Sequence, residues 1–442
     1  MRSCPSFHVP VNDQWSRNLD SDHWSEAAYF MNLLHWRWLC WRADGDGFVR
    51  LKAEYLHRII DSRILRKIRP VLVDTGVVDW DHTYIEGKRS MGFRITPPFW
   101  ITRRVNCRSQ NVCHRIWRLQ DEAERKLLPV HRWLRDRLKL LTFDLHLAES
   151  IIAGMMPDSN TPLTESEYRT LLTEQAQRLS QQVIDRTPEL CVCRFGRVHT
   201  AITRLPVMLR RCLSFDGEPL VGIDLRNSQP LFCGLVAVEC MRSRQARNRL
   251  MKFEPSAANL YGRSRNTKPT PPHSPPITIG EMTEVVDDDC GYKSCLADNP
   301  DLASYLDECE QGEFYDSLML PGEDRGRFKQ RFFSDVLFGR DNYLSEMRDR
   351  FNEKYPTIAS ILAALKQYDF RRPSWLMQSR ESTLFIGRVC RRIMKERPNI
   401  PLATVHDSFL TTAEHADYVE AVALEEFAKL GVQPTFKRET YC

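Results

Sequence analysis

Two short apolar segments, far apart in the chain, each end in an aspartate. In residues 220–231 (LVGIDLRNSQPL) the aspartate is Asp224, and in residues 400–410 (IPLATVHDSFL) it is Asp407. The aliphatic and β-branched residues before each aspartate predict a short buried strand. A carboxylate at the end of such a strand is costly unless a cation meets it. If the strands lie side by side, the pair predicts a site for two Mg²⁺ ions; otherwise these are two unrelated strand ends.

Several further segments stand in a fixed order around the two aspartates. They are FGRVHT at 195–200, GEFYDSLML at 312–320, DRGRFKQRFFSDVLFG at 324–339, RFNEKYPTIASILAALK at 350–366 and WLMQSRES at 375–382. Together with IDLRNSQP and VHDSF, they resemble the motifs of the family A (DNA polymerase I-like) polymerases. Motif C, VHDSF, is also similar to that of the phage-type single-subunit RNA polymerases. The resemblance covers residues 195–437 and implies an α+β right-hand fold with palm, fingers and thumb.

The resemblance also implies roles for single residues. Asp224 and Asp407 match the family's metal carboxylates and would hold two Mg²⁺ ions, with the backbone carbonyl of Leu225 as a further ligand. The residues implied to contact the nucleotide are Arg325, Lys329, Phe333, Phe338 and Gln229. Those implied to contact nucleic acid are Arg197, Gln378 and His406. Such a site works by positioning and charge neutralisation, which is what phosphoryl transfer needs from a protein.

Three positions depart from the family pattern. The aromatic-glycine pair expected eight residues beyond Lys329 begins at nine, with Phe338, so the helix either carries a one-residue insertion or does not stack Phe338 on the nucleotide. Ser408 follows the motif C aspartate, as in the RNA polymerases, where DNA polymerases have Glu. Gln229 stands where DNA polymerases use Glu to exclude a ribose 2′-OH and RNA polymerases use Gly. Since Gln is about as large as Glu, dNTP use is favoured, with NTPs as the alternative.

Positive charge is concentrated before the palm. Residues 101–156 carry eleven Lys and Arg against six acids, an excess that equals the net charge of +5 for the whole chain. Apolar residues recur there at helical spacing, which predicts basic amphipathic helices. We expect residues 101–190 to form a basic, thumb-like helical region that grips duplex backbone through Arg132, Arg135 and Lys139. The alternative is a solvated charged face.

The first hundred residues read as a separate module. Helical patterns at 27–41, 51–60 and 63–74 precede two short strands, VVDW and one around MGFRI, with the basic turn EGKRS between them. This order is that of a winged helix, which would place Arg66 of the third helix in a major groove and Lys88 and Arg89 on the DNA backbone. Winged helices also serve as protein-protein modules, and that alternative stays open.

Composition bears on localisation, cysteine chemistry and flexible segments. No apolar run reaches the ~18 residues of a membrane span, and the first residues lack the pattern of a signal peptide, so a cytoplasmic protein without a membrane partner is expected. The fourteen cysteines show no CxxC pair, and we interpret Cys107, Cys113, Cys290 and Cys295 as buried or loop thiols. Residues 262–300 begin with a Pro- and Ser-rich basic stretch, which predicts a flexible insert in the 191–442 palm and fingers region.

These patterns together predict an α+β right-hand polymerase with an N-terminal winged-helix-like domain at residues 1–100. The predicted activity is DNA-directed DNA synthesis from dNTPs on a DNA primer-template, with an RNA template also possible. No proofreading exonuclease is expected, because residues 1–190 lack acid-rich strand motifs. Two alternatives remain: an RNA polymerase or primase-polymerase, favoured by Ser408, and a DNA-binding replication or regulatory protein without activity. The sequence does not indicate an oligomeric state.

Overall fold

The computed structural model describes residues 4–40, 48–51, 53–83, 90–157, 163–253 and 294–441. The chain forms two compact units. The first comprises Met1–Lys126, Phe143–Asp185 and Arg204–Cys212, and the second comprises Leu127–Thr142, Arg186–Thr203 and Leu213–Cys442. These boundaries do not coincide with the predicted ones at residues 100 and 190, because the predicted thumb-like region is divided between the units. Most of the predicted insert at 262–300 lies outside the described residues.

The first unit combines helices with two small antiparallel sheets. Its helices are α1 (Trp24–Cys40), α2 (Ala53–His57), α3 (Ser62–Asp74), α4 (Gln110–Lys126), α6 (Leu145–Ala153) and α7 (Glu165–Ile184). Its strands are β1 (Ser6–Pro10), β2 (Val49–Arg50), β3 (Val78–Trp80), β4 (Gly92–Ile95) and β5 (Thr102–Asn106). β1 pairs with β5, and the other three form a sheet in the order β2-β4-β3. The helices and strands predicted for the first hundred residues are therefore present, with β1 and β2 as additions.

α3 shows how sequence sets a helix boundary and a face. Asp61 caps its first turn by accepting a hydrogen bond from the amide of Arg63 at 2.8 Å. The buried positions Leu65, Ile68 and Leu72 recur at helical spacing and join the core of the first unit. The outward face carries Arg63, Arg66 and Lys67, all exposed. The predicted wing residues Lys88 and Arg89 lie outside the described residues.

The second unit is built on a six-stranded sheet. Its strands are β6 (Leu141–Phe143), β9 (Leu213–Phe215), β10 (Glu218–Leu225), β11 (Ala403–Val405), β12 (Ser408–Thr411) and β13 (Phe436–Tyr441), and a separate hairpin joins β7 (Leu190–Val192) to β8 (Val198–Thr200). Neighbouring strands of the sheet follow the order β11-β12-β10-β9-β6. β13 also pairs with β10, on the side opposite β12. β10 is thus the central strand, and Val221, Ile223 and Leu225 on one of its faces enter the core.

Helices cover this sheet. They are α5 (Pro129–Arg137), α8 (Ser228–Arg242), α9 (Arg244–Met251), α10 (Pro300–Gln311), α11 (Arg325–Phe332), α12 (Glu346–Lys354), α13 (Pro356–Tyr368), α14 (Arg372–Ser382), α15 (Arg391–Glu396) and α16 (Ala413–Ala428). α14 continues into α15 through a π-helical segment, Thr383–Cys390. On α5, the indole of Trp133 donates to the carbonyl of Pro398 at 2.7 Å. None of the described helices is both long and apolar enough to cross a bilayer.

Candidate active site

The two aspartates singled out by sequence lie on neighbouring strands. β10 and β12 are antiparallel, with Asp224 opposite Ser408 and Ile223 opposite Phe409. The pairing continues past the strand end, where the amide of Leu225 donates to the carbonyl of Asp407 at 3.2 Å. Residues opposite or next to each other across a strand pair have their side chains within contact range. The sheet register therefore brings Asp224 and Asp407 to one edge of the second unit.

Asp407 belongs to a tight turn. β11 and β12 are joined by the two residues His406 and Asp407, because Val405 pairs directly with Ser408. His406 occupies the left-handed region with φ of 55°, a conformation that costs a non-glycine residue about 1–2 kcal/mol. Backbone strain of this kind persists where surrounding structure holds it and is concentrated at functional sites. The ring of His406 meets His199 of β8 edge-on, with centroids 5.8 Å apart.

Asp224 is followed by a second constrained residue. Asn227, at the start of α8, also has a positive φ of 53°, and it turns the chain from the end of β10 into the helix. Gly222, two residues before Asp224, packs against the ring of Tyr441, where a Cβ would lie only 3.0 Å from the nearest ring atom. The strand, the left-handed residue and the buried helix α8 together hold Asp224 in place while leaving its side chain exposed.

The burial of the Asp407 carboxyl group favours a cation close to it. The side chain keeps some accessible surface but lies deep among protein atoms, and this burial raises the pKa of its carboxyl. The Ser228 side chain and the positive charges of Arg197 and Lys329 oppose that rise. An ionised carboxylate at this depth is stabilised by a positive charge close by. A hard divalent cation would fit, since carboxylate oxygens are its preferred ligands.

Lys329 and Arg325 lie on one face of α11, as the sequence predicted. Burial and the charge of Arg325 lower the pKa of Lys329, while Asp224 and Asp407 raise it, so Lys329 lies within electrostatic reach of both aspartates. Its ammonium lies over the ring of buried Tyr315, 4.8 Å from the centroid. Arg325 forms an ion pair with Asp316. The helix therefore presents Lys329 near the aspartate pair, with Arg325 one turn before it.

The helix of Lys329 contains an inserted residue. Beyond α11, Phe333–Leu337 form a π-helical turn in which the amide of Phe338 bonds to the carbonyl of Phe333 at 2.8 Å. A π turn adds one residue to a helix. It therefore accounts for the displaced aromatic-glycine pair as a one-residue insertion, the first of the two explanations. The rings of Phe333 and Phe338 stack at 5.5 Å. A Cβ at Gly339 would lie 1.8 Å from the carbonyl oxygen of Ser334, so only glycine fits there.

Sequence reasoning missed one residue of the site, Glu381 at the end of α14. Its two oxygens accept from Nε and Nη2 of Arg197 at 2.8 and 2.6 Å, and the amide of Gln229 donates to it at 2.6 Å. Burial, with the charge of Asp407 adding to it, raises the pKa of Glu381 to about 7, and Arg197 opposes this. We call Arg197, Glu381 and Gln229 the open cluster, because the Oε1 of Gln229 is buried without a partner among the described residues.

Not every predicted contact residue enters this arrangement. Gln378, one turn before Glu381, donates to the hydroxyl of Ser374 at 2.8 Å. Lys139 pairs with Asp136 on the surface. Arg132 and Arg135 lie on α5 of the second unit, and Arg66 on α3 of the first. Cys107 and Cys113 are buried free thiols. Within the described ranges no group of three or more His, Cys, Asp or Glu side chains is arranged to hold a metal.

Comparisons with known proteins add little to this geometry. No protein-family model matches the chain, and no curated protein matches it. Among solved structures, the polymerase domain of Pol1 from M. smegmatis, in complex with DNA primer-template and dNTP, aligns over 74% of this chain with a TM-score of 0.26 and 11% identity. The chain spans 65% of that polymerase domain. A similarity at this level carries no functional weight, so we base the functional proposal on the residues of the site.

Proposed function

We propose that the chain is a template-directed nucleotidyltransferase, a DNA polymerase that transfers a nucleotide from a dNTP to the 3′-OH of a primer. One observation carries the proposal: Asp224 and Asp407 come together on paired strands, with Lys329 within electrostatic reach of both. Two carboxylates with a nearby lysine supply the charge pattern that a triphosphate and its metal ions require. The motif resemblance adds that the nucleotide is transferred from the triphosphate to the primer.

The residues present fit two Mg²⁺ ions. Asp224 and Asp407 would hold them, and the backbone carbonyl of Leu225 would be a further oxygen ligand. The ions would neutralise the phosphates and activate the attacking hydroxyl. One or two protein carboxylates are what Mg²⁺ usually takes beside substrate phosphates and water, so this pair of aspartates would suffice.

α11 would hold the incoming triphosphate. Lys329 provides a point charge beside the aspartates, and Arg325 provides a planar donor that can bind phosphate oxygens in pairs. The ring of Tyr315 lies under the Lys329 ammonium and restricts where that charge can go. Phe338, stacked on Phe333 at the π turn, would support the nucleotide base.

The open cluster would face the sugar and the primer end. Gln229 is held through its amide nitrogen by Glu381, so its side chain is fixed rather than free to swing away from a ribose. A fixed Gln would exclude a 2′-OH by occupying its volume. The Arg197 side chain uses two nitrogens on Glu381 and makes no further hydrogen bond within the described part of the chain, which leaves Nη1 for nucleic acid. His406, in its strained turn, would contact the primer terminus.

Other contacts with nucleic acid are further from the aspartates. Arg132, Arg135 and Lys139 would grip the duplex backbone, and Gln378 would contact the template side. The first unit would bind DNA through the exposed basic face of α3, with Arg66 in a groove and Lys88 and Arg89 on phosphates. This last proposal rests on the order of helices and strands and on the three exposed cations of α3.

RNA synthesis is the second candidate. Ser408, buried opposite Asp224, leaves motif C without the carboxylate that DNA polymerases carry after the aspartate. If the enzyme makes RNA, it would use NTPs in place of dNTPs at the same aspartate pair.

Primer extension with dNTPs and NTPs in parallel, on DNA and RNA templates, tests the proposal. We expect dNTP extension that Asp407→Asn lowers by about a thousandfold or more, because one metal carboxylate is lost from the transition state. Asp417→Asn, at an exposed aspartate paired with Arg438, is the matched control and should leave the rate unchanged. Absence of extension with every substrate, or an Asp407→Asn rate equal to that of the control, would exclude the polymerase proposal.

A further inference from the structure

Arginines and aromatic rings alternate along one strip of the second unit. Each arginine of the strip lies over a ring with its guanidinium carbon 4.7–5.8 Å from the centroid. The order along the strip is Phe195, Arg194, Trp375, Arg371, Phe370 and Arg340. We call these six residues the arginine-aromatic ladder. Consecutive stacking of this kind presents flat π and guanidinium surfaces side by side.

The cations of the ladder are not all neutralised. Arg371 is held by Asp369 through contacts of 3.0 and 2.7 Å. By contrast, Arg194 and Arg340 are exposed and have neither an acidic partner nor a side-chain hydrogen bond among the described residues. The three aromatic rings are half-buried, so each is anchored in the unit and retains an accessible surface. The ladder therefore offers fixed rings for stacking and two arginines whose donors are unused.

These features fit one ligand chemistry. A folded duplex hides the faces of its bases, whereas a single strand exposes them for stacking on aromatic and guanidinium planes. Phosphates of the same strand would accept from Arg194 and Arg340. An apolar peptide would find its surface interrupted by charge at every second position, which makes it a poor match.

The ladder is connected to the candidate active site by two elements. Trp375 lies on α14, six residues before Glu381, which is about 9 Å along a helix axis. Arg194 and Phe195 lie in the turn of the β7–β8 hairpin, three and two residues before Arg197. The amide of Cys193 closes that turn by donating to the carbonyl of Arg197 at 3.0 Å. A strand lying on the ladder would thus approach the open cluster.

We propose that the arginine-aromatic ladder binds single-stranded nucleic acid by stacking bases on its rings and contacting phosphates through Arg194 and Arg340. The further statement that this strand is the unpaired template ahead of the aspartates rests on the proposed function. Binding itself does not require catalysis, so the two can be tested apart.

The test uses the full chain without metal or nucleotide and fluorescence anisotropy of labelled oligomers. The probes are an oligo-dT of about 12 nucleotides, an oligo-rU of the same length, an abasic oligomer and a duplex. We expect Phe370→Leu with Trp375→Leu, which keeps apolar packing, to weaken oligo-dT and oligo-rU binding by about 5–100-fold. Binding of the abasic oligomer and the duplex should change by less than about twofold, because neither presents free bases.

A second pair of variants separates charge from stacking. Arg194→Ala with Arg340→Ala should also reduce the salt dependence of single-strand binding, by up to about 0.7 in the log-log slope for each lost contact. The corresponding Lys variants should keep the slope but not the full affinity, because an ammonium does not stack as a guanidinium does. Arg391→Ala, at an exposed arginine that lies over no aromatic ring of the described residues, is the control and should leave both quantities unchanged.

Two results would overturn the proposal. One is oligo-dT affinity unchanged in the leucine variant; the other is an equal loss for the abasic and the base-carrying oligomer. Failure of primer extension in the wild-type protein, together with the expected binding losses, would remove the template assignment and leave the single-strand site standing.

Discussion

Each unit buries a carboxyl group beside an arginine, and the two clusters differ in whether all of their side-chain acceptors are used. In the first unit both oxygens of Glu174 accept from Thr102, its amide at 3.1 Å and its hydroxyl at 2.8 Å. His35 donates from Nε2 to the carbonyl of Trp100 at 2.7 Å, so its Nδ1 accepts from Arg178 at 2.6 Å. Burial and the charge of Arg178 hold the pKa of His35 well below its usual range, so the ring is neutral. We call Glu174, Arg178 and His35 the closed cluster.

The open cluster of the second unit also holds a buried glutamate beside an arginine, but two of its hydrogen-bonding groups are unused. Glu381 is fully engaged by Arg197 and Gln229, yet those two residues each keep an unused group, Nη1 of the arginine and Oε1 of the glutamine. A buried acceptor left without a partner costs about 1–3 kcal/mol, so it persists only where another benefit outweighs that cost. The closed cluster joins α1, α7 and β5, whereas the open cluster keeps hydrogen-bonding capacity for a ligand.

The largest expected effect tests the closed cluster. Glu174→Ala removes the acceptor of the Thr102 amide and hydroxyl and takes away the negative charge facing Arg178. We expect the free energy of unfolding to fall by about 2–4 kcal/mol, measured by denaturant titration. Glu165→Ala, at an exposed position of the same helix, is the control and should cost less than about 1 kcal/mol. A variant that stays fully folded and yet loses nucleotide incorporation would show that the closed cluster also serves activity, and the contrast between the clusters would disappear.

Local patterns predicted the strand that ends at each aspartate, whereas only the motif resemblance implied that the two aspartates come together. Apolar residues before Asp224 and Asp407 predict strands. The one-residue displacement of Phe338 was also visible in the sequence, and it corresponds to the π turn after α11. The strands and the π turn depend on residues close together in the chain, whereas the pairing of the two strands does not.

Glu381 could not be found in the same way. Its role depends on Arg197, 184 residues away, and on Gln229, 152 residues away, so no local pattern marks it. The signal that could have marked Glu381 was its charge, because it stands among the buried positions of α14. The same limit applies to α5, whose basic face suggested a thumb, while Trp133 packs it into the second unit through a contact with Pro398 that sequence spacing does not reveal.

A smaller effect is expected at Gln229, the glutamine of the open cluster. Gln229→Ala would remove the side chain that occupies the volume of a ribose 2′-OH and leave the aspartates untouched. We expect the preference for dNTPs over NTPs, measured as the ratio of kcat/KM values, to fall by about 10–200-fold. Gln367→Ala, at an exposed glutamine of α13, is the control and should leave this ratio unchanged. Wild-type protein that uses NTPs as readily as dNTPs would contradict the sugar filter and favour RNA synthesis.

The last expected effect concerns the charge of Glu381 and appears as a pH dependence of stability. Burial raises the folded-state pKa of this carboxyl to about 7 from its usual 4.5, so the folded protein holds the proton more tightly than the unfolded chain does. That contribution is fully present below about pH 4.5 and is lost as the pH rises to about 7. Glu381→Gln cannot titrate and should show no such loss. With chelator present, the wild-type stability minus that of the variant should therefore fall by about 2–3 kcal/mol between pH 5 and pH 8.

The same titration in an Asp407→Asn background sharpens this last comparison. The negative charge of Asp407 contributes to the raised pKa of Glu381, so its removal should lower that pKa and shrink the change between pH 5 and pH 8. Glu174 of the closed cluster, where burial also raises the pKa, lies in the other unit and should respond to neither substitution. Stability curves of wild type and Glu381→Gln that run parallel across the whole range would mean that Arg197 keeps Glu381 ionised throughout. In that case the open cluster would be a permanent ion pair, and only the unused groups of Arg197 and Gln229 would distinguish it from the closed one.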